Sequence, residues 1–85
     1  MINLADLKIG NVTHYYDKIG VAVVDLTSPL HVGDHIKFSG STDFSQTVES
    51  MQAEHEQVTS AASGDTVGVK VNQPVRPGDE VLKSS

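Results

Sequence analysis

VGDHIKF, residues 32–38, returns in altered form as SGDTVGV (63–69) and PGDEVLK (77–83). Each copy sets a glycine and an aspartate in front of an apolar run, and two chemistries could ask for that pattern. Three carboxylates gathered by folding could serve a metal or acid–base site. Alternatively, three separate turns could each use glycine for a positive φ and aspartate to accept a backbone amide just ahead of it. Cation-binding loops concentrate several carboxylates within a few residues, whereas Asp34, Asp65 and Asp79 each stand alone. The pairs Gly33–Asp34, Gly64–Asp65 and Gly78–Asp79 therefore read as corners that feed strands.

The runs between these corners carry a period of two. KIGNVTHYY (8–16) places Gly10, Val12, His14 and Tyr16 on one parity, and IGVAVVDLT (19–27) places Ala22, Val24 and Leu26 on one face. The latter is apolar on both faces until Asp25, as a central strand would be. In HIKFSG (35–40), Ile36 and Phe38 point inward. In TVGVKV (66–71), Val67, Val69 and Val71 do so, and NQPVRPGDEVL supplies the last strand. Within FSQTVESMQ (44–52), Val48 and Met51 differ in parity, which predicts a bulge or sharp bend. TVESMQAEHEQVTSAA (47–62) contains good helix formers, but Glu54, His55, Glu56 and Gln57 would fill the middle of its apolar face. Period favours strand–loop–strand there.

Composition sets the remaining bounds. An 85-residue chain makes one small domain, 1–85, with a barrel over about 8–83 and short flexible ends. With no cysteine there is neither a disulfide framework nor a thiolate metal site. The formal charge of −5, with six scattered Lys and Arg against 11 acids, argues against non-specific binding to a phosphate backbone. No apolar run approaches a membrane span, and MINLADLK lacks the order of a signal peptide. A cytoplasmic location is the expectation.

In order, the motifs IGNV, IGVAVVDL, LHVGDHIKFSG, VESMQ, VTSAASGDTVGVKV and VRPGDEV resemble the second domain of the translational GTPases, of the elongation factor Tu and 1-alpha type. The resemblance rests on Leu30–Asp34, Val48–Met51 and Ala61–Gly68. It implies an all-β fold, a closed six- to seven-stranded antiparallel Greek-key barrel. A similar barrel is also appended to some collagenase-like peptidases. No GxxxxGK[ST] loop occurs, so GTP is not expected. In the Tu-type factor this barrel helps hold the aminoacylated end of tRNA, with an acid against the terminal nucleotide. The resemblance carries that place to Glu49.

Other chemistry finds little support in the residues. His31 and His35 are four apart but straddle a glycine turn, and His14 and His55 lie on other segments, so all four read as surface or rim histidines. No serine sits in a GxSxG elbow. HYYDK (14–18) is the most distinctive surface feature, because adjacent tyrosines on a strand face opposite ways. Tyr15, Tyr16 and Lys18 are accordingly candidate binding residues beside Glu49. The expected function is non-catalytic: a stand-alone module, without metal or cofactor, that binds a protein. A translation accessory binding RNA or the tRNA acceptor end is the alternative. Val21 and Val23, on the outer parity, point to a covered or homodimeric surface, or to a loop lying over them.

Overall fold

The computed structural model describes residues 6–84; of the expected flexible ends, residues 1–5 and 85 lie outside the described residues, while residues 6, 7 and 84 belong to strands. The strands, in chain order, are β1 (Asp6–Tyr16), β2 (Val21–Leu26), β3 (Leu30–His31), β4 (His35–Ser39), β5 (Asp43–Thr47), β6 (Met51–Ala53), β7 (Glu56–Val58), β8 (Ser60–Ala61), β9 (Thr66–Lys70) and β10 (Glu80–Ser84). No helix forms among the described residues, and every ladder is antiparallel. Eight strands make one curled sheet in the order β5-β4-β10-β1-β2-β9-β6-β7, and β3 and β8 make a separate pair. The count of six to seven strands is corrected by this finding. The expected bend near Val48 is a full break that divides one run into β5 and β6, and the return through residues 56–61 is split again.

Period two decided which residues went inside. Ala22, Val24 and Leu26 of β2, Ile36 and Phe38 of β4, and Val67 and Val69 of β9 all lie in one buried cluster. Phe38 also stacks on Phe44 across the β4–β5 pair, with ring centroids 5.0 Å apart. Each fully buried valine contributes about 1.5–3 kcal/mol relative to an exposed one. Strand β1 departs from the simple parity, because its register against β2 shifts between Val12 and His14. That bulge turns His14 and Tyr16 outward and leaves Tyr15 half-buried against the core. Gly10 sits where β1 passes closest to β2: a β-carbon there would stand 2.5 Å from the Asp25 carbonyl oxygen.

The three corners are built alike. Gly33, Gly64 and Gly78 hold φ of 97°, 93° and 95°, the conformation a type II turn requires at its third residue. Asp34, Asp65 and Asp79 each donate a backbone N–H to the carbonyl three residues back, at 3.1, 3.0 and 3.1 Å. Each aspartate side chain accepts the amide of that same residue: His31 at 2.9 Å, Ala62 at 2.9 Å and Arg76 at 3.0 Å. Each turn then docks on one buried apolar residue through two main-chain bonds. Gly33 and Asp34 bracket Val48, Gly64 and Asp65 bracket Leu26, and Gly78 and Asp79 bracket Val12, all at 2.7–2.9 Å. The turn and its docking site together form a threefold internal repeat.

Asp79 is the one corner aspartate that is buried and hydrogen-bonded to a distant segment. It is 3% exposed, and its carboxylate also accepts the Ser41 amide and the Ser41 hydroxyl, both at 2.8 Å, from 38 residues away. Burial by itself would raise its pKa. The hydrogen bonds from the Ser41 amide, the Arg76 amide and the Ser41 hydroxyl, with the nearby Arg76 charge, outweigh that and hold it below the usual carboxylate value. Gly40, at φ 142°, leaves room for this contact, since a β-carbon there would stand 2.6 Å from Asp79 Oδ1.

The sheet does not zip shut. β5 and β7 end the strand order, and among the described residues no main-chain bond joins β5 to residues 71–76. The buried Gln46 side chain spans the gap instead: its Nε2 donates to the Lys70 carbonyl at 2.7 Å, and its Oε1 accepts the Asn72 amide at 2.8 Å. A seam therefore runs between β5 and the segment after β9, stitched at one point by Gln46 and at another by Asp79.

Urea unfolding at neutral pH should show Asp79→Asn destabilised by about 2 kcal/mol, because the amide replaces one acceptor oxygen with a donor facing donors. Asp34→Asn and Asp65→Asn, whose amide partners are exposed, should cost less. A carboxylate with a lowered folded pKa stabilises above its unfolded value, near about 3.9, and loses that contribution as pH falls through the folded one. The gap between wild type and Asp79→Asn should accordingly close on acidification. Gly40→Ala should also destabilise by about 2 kcal/mol or more, because it disturbs the same buried carboxylate. Combined with Asp79→Asn it should cost less than the sum of the two, since both act on one contact.

Candidate functional site

The end of β1 and its hairpin into β2 place the two tyrosines over different hollows. Tyr15 opens onto a groove of about 670 Å³. Tyr16, 50% exposed, stacks on His14 at a centroid distance of 6.2 Å and opens onto a smaller trough of about 370 Å³. Lys18 is exposed in the turn between the two strands. Glu49 lies elsewhere: it lines a third hollow of about 330 Å³ with Val32, Ser50, Met51 and Val58. The structure thus gathers Tyr15, Tyr16 and Lys18 at one end and does not bring Glu49 to them. Val21 and Val23 line the trough with Ile19, which is 59% exposed.

The larger groove is the mouth of the seam. Tyr15 and Asp17 form one wall, Ser41 and Thr42 a second, and residues 73–76 the third. Two of these walls hang on the same atom group, because Asp79 holds Ser41 on one side and the Arg76 backbone on the other. Arg76 lines the groove and forms no direct salt bridge among the described residues, although its charge lies near the Asp79 carboxylate. Sequence reasoning missed Arg76, Ser41 and Thr42. A signal was present in the RPGD turn itself: a corner that fixes its aspartate also fixes the residue three positions earlier.

The remaining side chains offer little reactive chemistry. All four histidines are exposed, and among the described residues no three of His, Asp and Glu come together as metal ligands. Asp34 receives the backbone amide of His31 and lies 3.3 Å from the Lys83 ammonium, so its side chain completes a turn and a surface ion pair. The Ser41 hydroxyl donates to Asp79, and its proton is therefore committed to a partly buried structural bond. The β6–β7 hairpin turns through Glu54 and His55 with φ of 52° and 68°, a two-residue turn that glycine or asparagine would adopt with less strain.

No protein-family model matches the chain. It is similar to an uncharacterised protease of Methanocaldococcus jannaschii, 42% identical over 77 residues that cover 88% of this chain and 19% of the protease. It is also similar to a collagenase of Porphyromonas gingivalis, 32% identical over 78 residues that cover 88% of this chain and 22% of the collagenase. The chain thus spans about a fifth of the length of the curated relatives it matches. Among solved structures it is similar to the C-terminal domain of a protein described as a U32 peptidase in Geobacillus thermoleovorans. One crystal structure of that domain gives a TM-score of 0.84 at 25% identity, covering 88% of this chain and 96% of that one. Its other structure gives 0.85 at 26% identity, covering 92% of both chains.

These likenesses overturn the assignment to the translational GTPases and, with it, the translation-module function and the tRNA-end role carried to Glu49. The physical reason lies in what the motifs encode. Gly-Asp corners and alternating valines are what a curled antiparallel sheet of this size requires, so they report the fold and not the process it serves. The chain is thus similar over 88% of its length to proteins named as a protease and a collagenase, and it superposes on an isolated C-terminal domain of matching size.

Proposed function

We propose that the chain is a domain of the U32 peptidase kind, equivalent to the C-terminal domain of those proteins and without a peptidase centre of its own. The observation that carries this reading is the size match: the chain covers 96% of an isolated C-terminal domain but only 19–22% of the named protease and collagenases. The remaining four-fifths of those proteins have room for the hydrolytic machinery. Within this chain, Ser41 is tied to Asp79 and the histidines stand apart on the surface, which supports an accessory role. Closure of the curled sheet into a barrel, with side-chain stitches in place of missing ladder bonds, belongs to the same proposal. The substrate class we assign to the whole assembly is polypeptide, after the protease and collagenase names of the relatives.

Two measurements test this reading. The purified chain should leave gelatin intact, as judged by gel and by release of new amino termini. A Porphyromonas gingivalis collagenase whose matching segment is replaced by this chain should retain cleavage of gelatin, while the same enzyme with the segment deleted should lose most of it. Gelatin cleavage by the chain alone, or full activity of the deleted enzyme, would overturn the proposal.

A further inference from the structure

We infer that the mouth of the seam, between Tyr15 and Asp17 on one side and Ser41, Thr42 and Arg76 on the other, binds an extended polypeptide segment through a carboxylate that pairs with Arg76. The peptidase-domain reading supports only the class of ligand; the site itself is argued from its geometry.

Three features of the groove converge on that ligand. The first is size and shape, since about 670 Å³ of open groove falls within the range of pockets that hold small ligands. The second is its backbone. The groove opens where β5 ends the strand order, so among the described residues the β5 main chain, which starts next to Thr42, has no neighbouring strand on that side. A strand edge of this kind binds extended chains through main-chain hydrogen bonds. The Gln46 stitch to Lys70 and Asn72 limits how far along the seam such a segment can enter, which makes the mouth the binding element.

The third feature is charge. The guanidinium of Arg76 makes no direct salt bridge among the described residues. Its charge lies near the buried Asp79 carboxylate, whose oxygens already accept from Ser41 and the Arg76 amide, so its planar donors stay open to a further carboxylate. A net charge of −5 opposes an anionic ligand at long range. That field is screened beyond about 8 Å at physiological salt, so the charges lining the groove decide the contact: Arg76 attracts a carboxylate, and Asp17 on the Tyr15 wall confines it to the Arg76 side. Pre-organisation favours it further. Asp79 fixes the Arg76 backbone and Ser41 together, so the two walls are already at their working separation and less ordering remains to be done on binding. The trough beside Tyr16 lacks this construction: it is apolar, rimmed by Glu54 and His55, and holds no free cation for a carboxylate.

Fluorescence anisotropy with short labelled peptides tests the site on the intact chain. A Gly-Pro-Glu repeat peptide should bind more tightly than the matching Gly-Pro-Gln peptide. Arg76→Gln should weaken the Glu peptide about tenfold, the expected worth of one charge-assisted hydrogen bond, and should abolish the preference. The Arg76 backbone, which holds the turn, is unchanged by that substitution. Ile19→Asp, in the trough, should leave binding as it was. Equal binding of the two peptides, an Arg76→Gln variant that binds like wild type, loss on Ile19→Asp, or binding of neither peptide would each overturn the inference. The collagenase graft reports separately, so failure here with a functional graft would remove the site and leave the domain assignment standing.

Discussion

An aspartate placed one residue after a left-handed glycine, reaching back to the amide three positions earlier, is the interaction on which this molecule depends. It occurs three times with nearly the same glycine φ and the same pair of bonds to a buried residue. Its physical value is that one short side chain satisfies an amide that a tight turn would leave exposed, while the glycine takes a conformation that would strain any other residue. The docking bonds then do what a helix or a disulfide does in other small domains. They fix where one strand leaves the sheet and the next begins, in a chain with neither cysteines nor, among the described residues, helices.

The third copy shows how a repeated local device acquires a separate role. Asp34 and Asp65 serve their own turns, and Asp34 adds a surface contact to Lys83 of the kind that contributes little to stability. Asp79 is buried and takes three donors, one from its own turn and two from the distant Ser41, so the same chemistry becomes a clamp. Its burial opposes ionisation, yet three hydrogen bonds and a nearby guanidinium prevail. The clamp is also what holds the seam at its mouth, where a gap in the ladder would otherwise be free to widen. Fold stability and the shape of the groove thus share one carboxylate.

The translation-factor resemblance and the peptidase likeness differ in an instructive way. Corners, alternation and the order of motifs are what any curled antiparallel sheet of this size asks for, because its turns and inward faces must be built from the same few residues. Those features correctly foretold an all-β antiparallel chain and could not distinguish whose chain it was. Residue-by-residue similarity, 42% and 32% identity over 88% of the chain, carries information that turn chemistry lacks, and it points to proteins named as a protease and a collagenase.

What the sequence determined by itself was everything local: the positions of the corners, which valines face inward, and the absence of thiol chemistry. These depend on one residue and its immediate neighbours, so a linear reading reaches them. The parity of β1 beyond Val12 escaped that reading, because the bulge that turns Tyr15 in and Tyr16 out is set by the register against β2. The break into β5 and β6, the Gln46 stitch and the pairing of Ser41 with Asp79 escaped it for the same reason. Each joins residues 24–38 positions apart or arises from how the sheet curls. Only the folded chain settles which polar side chain meets a backbone group that its own strand leaves unpaired.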